Sequence, residues 1–320
     1  MKKVAIGVDI GGTNTVMGVV DESGNVLKKN TMPTETHPDY SIYMNALSAE
    51  LMTMADEIKN DHEILGIGIG APNGNFYNGT IEFAPNLKFK GVVPVVDFIR
   101  NKFNYETILL TNDANAAAIG EMIYGGARNF KDFIMITLGT GLGSGIVVNG
   151  ELVYGHDGFA GEIGHVIVDP EGRQCGCGRR GCLETYASAP GIKRTVFYLL
   201  SEMTDASILR SYSYNDLSAK KIDEAARNGD QVALAAFDFT GKMIGLKLAD
   251  AIAHTSPEAI FLFGGLSQAK ELIFEPVQKY MEHFLLNIYK NKVKLLPSEL
   301  PPGDAAVLGS AALVWKEHKA

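Results

Sequence analysis

Every cysteine of the chain falls in one short run, CGCGRRGC, at Cys175, Cys177 and Cys182, and His165 lies just upstream. Three thiols and one imidazole make a complete tetrahedral donor set for zinc. Four protein ligands also close the site, with no position left for a catalytic water. The spacing therefore points to a structural zinc on His165, Cys175, Cys177 and Cys182. Two plainer readings compete: small buried residues, or a disulfide between two of the three. The odd cysteine count argues against a disulfide framework, and the clustering argues against ordinary core use. Two carboxylates, Glu162 and Glu184, flank the group.

A second chemistry is carried by glycines. Asp9-Ile10-Gly11-Gly12-Thr13 and Leu138-Gly139-Thr140-Gly141-Leu142-Gly143 each continue an apolar run, and Gly264-Gly265 ends a third. Backbone N–H groups at such turns can approach phosphate oxygens closely. Neither of the first two continues into Gly-Lys-Ser/Thr, which excludes a Walker loop. Each runs into another strand and not a helix, which excludes a dinucleotide fingerprint. One glycine hairpin alone could be ligand-free; two matched turns and a third favour phosphate. Asp9, beside the first turn, could hold Mg2+ directly or through water, or cap local N–H groups. Asp113 follows the run Ile108-Leu109-Leu110 and opens an alanine-rich segment. It could N-cap that helix, or serve as general base for a hydroxyl at the carboxyl end of a strand. Asn112 and Asn86 offer amides suited to sugar hydroxyls, which both donate and accept. Glu162, His165 and Glu184 could join the same array.

The elements that must position these groups follow from patterning. Strands are expected at Lys3–Ile10, Thr13–Asp21, Val26–Thr31, Ile64–Gly70 and Thr107–Thr111, with helices over Asp39–Lys59, Val95–Phe103 and Asp113–Tyr124. The plan then restarts: strands at Phe133–Leu138, Ser144–Asn149 and Glu151–Tyr154, the last two joined by Asn149-Gly150. Helices follow near Tyr186–Met203, Ala219–Asn228 and Gln231–His254. A strand at Ala259–Phe263, a helix at Lys270–Tyr289, a strand at Val293–Leu296 and a helix at Ala305–Glu317 complete the chain. A repeated strand–glycine turn–strand opening implies two α/β units on one plan, facing each other across a cleft, a common ligand position. The net charge of −8 disfavours nucleic acid as a partner. Apolar runs are strand-sized, which disfavours a membrane span. The N-terminus lacks a continuous apolar signal region, and with few cysteines a cytoplasmic location is expected.

These motifs resemble the repressor–open-reading-frame–kinase (ROK) family of sugar kinases. DIGGT at Asp9–Thr13 and LGTGLGSG at Leu138–Gly145 are similar to its phosphate motifs. GEIGH, which ends at His165, and CGCGRRGCLE, which ends at Glu184, are similar to its signature; GGLS at Gly264–Ser267 is similar to its adenosine turn. The resemblance implies an α/β fold of two actin/hexokinase-like (ribonuclease H-like) domains with an interdomain cleft. The last helix would return to the first domain, giving 1–112 plus 305–320 and 113–304 with the zinc loop. It implies ATP-dependent phosphorylation of a hexose, glucose at the 6-hydroxyl, with Asp113 as catalytic base. Asn86, Asn112, Asp113, Glu162, His165 and Glu184 would contact the sugar. Asp9, Gly11, Gly12, Thr13, Gly139, Thr140, Gly141, Gly264 and Gly265 would contact ATP. A structural Zn2+, Mg2+ with ATP, and a homodimer or homotetramer complete the expectation. Fructose, mannose, allose, N-acetylglucosamine or N-acetylmannosamine is the alternative substrate, and a non-catalytic sugar-responsive regulator the alternative class. With DIGGT beginning at Asp9, no helix-turn-helix is expected before it.

Overall fold

The computed structural model describes residues 1–37 and 39–319. Its first sheet grows from β1 (Lys2–Ile10), whose Val4, Ala5, Ile6 and Val8 are all fully buried. Burial on both faces is what a continuous apolar run predicts for a central strand. β2 (Asn14–Asp21) pairs antiparallel with β1, and β3 (Val26–Pro33) with β2. β3 is the edge, where a terminal proline is tolerated. α1 (Tyr40–Ile58) is capped by Asp39, which accepts from Ile42 N at 3.1 Å. It buries Tyr43, Met44, Leu47, Leu51 and Met54 at helical spacing. β4 (His62–Ala71) runs parallel to β1. A small sheet, β5 (Gly74–Asn75), β6 (Thr80–Glu82) and β7 (Val92–Val93), is not foreshadowed by the sequence, because strands of two or three residues carry no period. α2 (Val95–Arg100), β8 (Thr107–Asn112) and α3 (Asp113–Tyr124) follow, and the sheet order is β3-β2-β1-β4-β8.

The second sheet repeats the plan. β9 (Phe133–Leu138), β10 (Leu142–Val148), β11 (Glu151–Leu152), β12 (Ala259–Phe263) and β13 (Lys294–Pro297) order as β11-β10-β9-β12-β13. β12 is parallel to β9 and to β13. The single helix expected over Tyr186–Met203 is two, α4 (Glu184–Ala187) and α5 (Ala189–Glu202). Ser188 breaks it with extended backbone and caps α5 by accepting from Gly191 N at 3.1 Å. α6 (Ala219–Arg227), α7 (Gln231–Thr255) and α8 (Glu271–Phe284) follow; α8 stops well short of Tyr289, because Leu285 turns extended.

α9 (Ala305–Lys319) lies directly on β1 and β4 and along α3. The approach is close enough that a Cβ added to Gly68 would sit 1.9 Å from Ser310 O. The chain forms two compact units: Met1–Lys131 with Gly145–Gly161 and the stretch from Ser298, and Asp132–Ser144 with Glu162–Pro297. The first unit takes in α3 and residues 145–161, which the expected division at 112/113 left out. Packing explains this. α3 lies along α9, and Gly145 sits where an added Cβ would be 2.6 Å from Ala118 Cβ. Fully buried Glu121 accepts from Ser298 Oγ and, at 2.9 Å, from Glu299 N, drawing that stretch in ahead of residue 305. Pro38 and Ala320, both in the expected first domain, lie outside the described residues. Among the described residues no helix is long and apolar enough to cross a membrane.

Candidate active site and metal centre

In the first unit, strand register brings two carboxylates to one edge of the sheet. Asp9 is level with Gly70 of β4, and Gly70 with Thr111 of β8. Asp113 follows two residues later, so both acids stand at the carboxyl ends of parallel strands, where open α/β sheets bind ligands. Burial, and then the charge of Asp113, push the Asp9 carboxyl up to about 7. Burial likewise raises Asp113, against the N–H of Ala114, which favours its charged form. Asp113 nevertheless keeps a solvent-exposed face. A pair of crowded carboxylates beside a glycine turn is an environment that a cation relieves.

The helix cap is Asn112 and not Asp113. Asn112 Oδ1 accepts from Ala114 N at 2.9 Å with extended backbone, while Asp113 is the first helical residue and accepts from the same N–H at 2.8 Å. Asn112 therefore offers a ligand its Nδ2 donors. The first glycine turn rests on the Asn86 turn: a Cβ on Gly12 would lie 2.7 Å from Asn86 O. Lys90 Nζ ties that turn through Pro85 O at 3.0 Å. Gly11 N closes its own turn on Asn14 O at 3.0 Å, and Thr13 and Asn86 stay exposed.

In the second unit, Glu184 opens α4 and joins two motifs. Its Oε2 accepts from Leu142 N at 3.0 Å, beside the second glycine turn, and its Oε1 lies 3.8 Å from Cys175 Sγ. Gly139 N closes that turn on Gly141 O at 3.0 Å, leaving Thr140 exposed at its tip. Gly264 has φ 101°, which favours glycine, and a Cβ there would meet Leu138 O at 2.5 Å. The third glycine turn thus abuts the strand that leads into the second. Glu162, exposed, precedes a short 3-10 turn over Ile163–His165, pinned by Ile163 N donating to Ser144 Oγ at 3.1 Å.

The four predicted metal ligands converge, their donor atoms all within 4.8 Å of one another. Cys175 Sγ is 3.7 Å from His165 Nδ1, and Cys177 Sγ is 3.6 Å from Cys182 Sγ. Zinc bond lengths place tetrahedral ligands about 3.8 Å apart for two sulfurs and about 3.6 Å for sulfur and nitrogen. The donor set fits zinc, and the three cysteines are free thiols, not a disulfide. Burial pushes the Cys175 thiol up to about 12. Burial also opposes ionisation of Cys177, but backbone and side-chain hydrogen bonds from Arg179 prevail and hold it down at about 6. Nothing in the sequence marks Arg173, yet it clamps the loop to α5. Its guanidinium donates to Thr185 O at 2.9 Å, Gly191 O at 3.0 Å and Thr195 Oγ1 at 3.0 Å, and stacks over Tyr186. A surface groove of about 390 Å³ along α7 and α8, near Phe237 and Pro276, holds none of the predicted site residues.

Known proteins are similar to this chain over nearly its whole length. The ROK family model matches residues 5–317. A glucokinase of Thermotoga maritima is 33% identical over 97% of this chain and 96% of its own. A ROK family glucokinase from Streptomyces griseus, solved in complex with glucose and AMPPNP, is 34% identical, with a TM-score of 0.81 over 98% of this chain and 99% of its own. Regulators share the likeness: an Escherichia coli DNA-binding transcriptional dual regulator is 26% identical over 97% of this chain, in a match that covers 75% of the regulator. Fold, motifs and full-length matches agree that this chain belongs to the ROK family.

Proposed function

We propose that the protein is an ATP-dependent glucose kinase that phosphorylates the 6-hydroxyl. The observation that carries this reading is Asp113: an exposed-faced carboxylate at a strand end, beside an amide donor and level with the Asp9 turn. Relatives named glucokinase match nearly end to end, one of them solved with glucose and AMPPNP. In this reading Asp113 accepts the hydroxyl proton as the γ-phosphoryl transfers in line. Phosphoryl transfer is mainly positioning and electrostatics, so the remaining residues bind and orient. Asn86, Asn112, Glu162, His165 and Glu184 hold the sugar hydroxyls. Gly11, Gly12, Thr13, Gly139, Thr140 and Gly141 carry the phosphates, and Gly264 and Gly265 the adenosine. Mg2+ near Asp9 would supply neutralising charge to the phosphates. Zinc on His165, Cys175, Cys177 and Cys182 would act structurally: with Nδ1 toward the metal, His165 presents Nε2 to the sugar. A homodimer or homotetramer in the cytoplasm completes the proposal.

Asp113→Asn tests the assignment. Turnover in a coupled ADP assay should fall by about a thousandfold or more, while glucose binding by calorimetry persists. Near-normal turnover would remove Asp113 from the base role. Sugar binding without turnover in the unmodified protein would favour a regulator.

A further inference from the structure

Arg173 reaches α4 where that helix cannot close its own bonds. α4 has four residues, and the extended backbone of Ser188 ends it. In an unbroken helix Ala189 N would donate to Thr185 O. Here Ala189 N donates to Gly139 O, in the second glycine turn, at 2.9 Å. Thr185 O accepts from the Arg173 guanidinium instead, at 2.9 Å, and Glu184 O accepts from Ser188 Oγ at 2.8 Å. The same guanidinium donates to Gly191 O and Thr195 Oγ1 of α5, each at 3.0 Å. Its Cζ lies 4.4 Å from the centre of the Tyr186 ring. One planar fork thus ties α4 to α5 while stacking on an aromatic face, which a lysine ammonium does not reproduce.

The carboxylate that opens α4 is one of the proposed sugar ligands. Glu184 Oε2 is taken by Leu142 N at 3.0 Å, which leaves Oε1 to accept from a hydroxyl. A single turn with no side-chain cap at Leu183 takes its direction from such outside contacts. We infer that Arg173 is a positioning residue for the sugar site: it fixes α4, and with it the direction of Glu184. The inference rests on the reading of Glu184 as a sugar ligand. Arg173 acts through α4 and not on the reacting atoms. Its backbone has contacts of its own, N to Tyr186 Oη at 3.1 Å and O from Gly181 N at 2.8 Å. Those survive a change of side chain, so a variant removes the guanidinium and leaves the cysteine loop tied.

The test compares the full-length protein with Arg173→Lys, Thr195→Val, Glu184→Gln and the Arg173→Lys/Glu184→Gln double variant. Steady-state kinetics, glucose binding by calorimetry and zinc content by mass spectrometry are read for each. Arg173→Lys should raise both KM and Kd for glucose about tenfold, with kcat and KM for ATP within about twofold, the pattern of lost ground-state binding. Its zinc content should equal that of the parent. Thr195→Val removes one acceptor of the fork and should raise Kd for glucose about threefold; it carries the test should Arg173→Lys fold poorly. In the Glu184→Gln background the effect of Arg173→Lys should shrink to about twofold or less, because both changes act on one contact. Parent-like glucose Kd in Arg173→Lys, effects that multiply in the double variant, or zinc loss with KM for glucose and ATP rising together would overturn the inference. Parent-like glucose Kd in Glu184→Gln would instead remove Glu184 from the sugar site, and the positioning role with it.

Discussion

Burial, and then the charge of Asp113, raise the proton affinity of Asp9, which at about 7 carries a measurable consequence. Its folded value lies above the ordinary 3.8, so between those values the folded state binds more protons than the unfolded one. Stability then falls as pH rises through that window and levels off above it. Asp9→Asn removes the effect. Without nucleotide or divalent cation, the variant should match the parent near pH 4 and become the more stable by pH 7 to 8, as read by urea midpoints. Parallel midpoints across the range would contradict the assigned environment. At the cysteine loop, zinc analysis by mass spectrometry should find one metal per chain, and Cys177→Ser should lose most of it. Full metal content in that variant would take Cys177 out of the ligand set. The cysteines and His165 were readable in the sequence because metal ligands must be particular residue types at short spacing. Arg173 was not, since its role depends on Thr185, Gly191 and Thr195, partners brought to it only by folding. The cap at Asn112 was misplaced by one residue because Asn and Asp cap equally well.

Long elements with a clear period were legible to within a few residues: β1, α3, β9 and β12 need nothing beyond their apolar pattern. The break at Ser188 was not, because serine is also tolerated inside helices, and only the Gly191 N–H shows it acting as a cap. The return of α9 is the most demanding contact in the first unit. Gly7 and Gly68 let its backbone rest on β1 and β4, with an added Cβ at Gly7 only 2.1 Å from Val307 O. Gly68→Ala should therefore cost about 1–3 kcal/mol or more through overpacking. Gly303→Ala, with nothing within 4 Å of its added Cβ, should stay within about 0.5 kcal/mol of the parent. Equal stability of the two variants in urea would mean that α9 packs less closely on the sheet.

At the scale of the molecule, the repeat seen in the sequence became two five-stranded sheets of matching order, each with a meander on one side and parallel strands on the other. That symmetry was legible because strand–glycine turn–strand occurs twice. The boundaries were not, because α3 and residues 145–161 take their place from packing against α9 and each other, contacts with no local signature. The central claim concerns the whole chain: ATP is consumed only in making a sugar phosphate. It is tested most directly by incubating the purified protein with MgATP and each of a panel of hexoses and acylated amino sugars, following ADP and identifying the product by 31P NMR. The account predicts ADP release that requires sugar, is fastest with glucose, and yields one glucose 6-phosphate per ADP. Sugar-independent ADP release, or no turnover with any member of the panel, would contradict it.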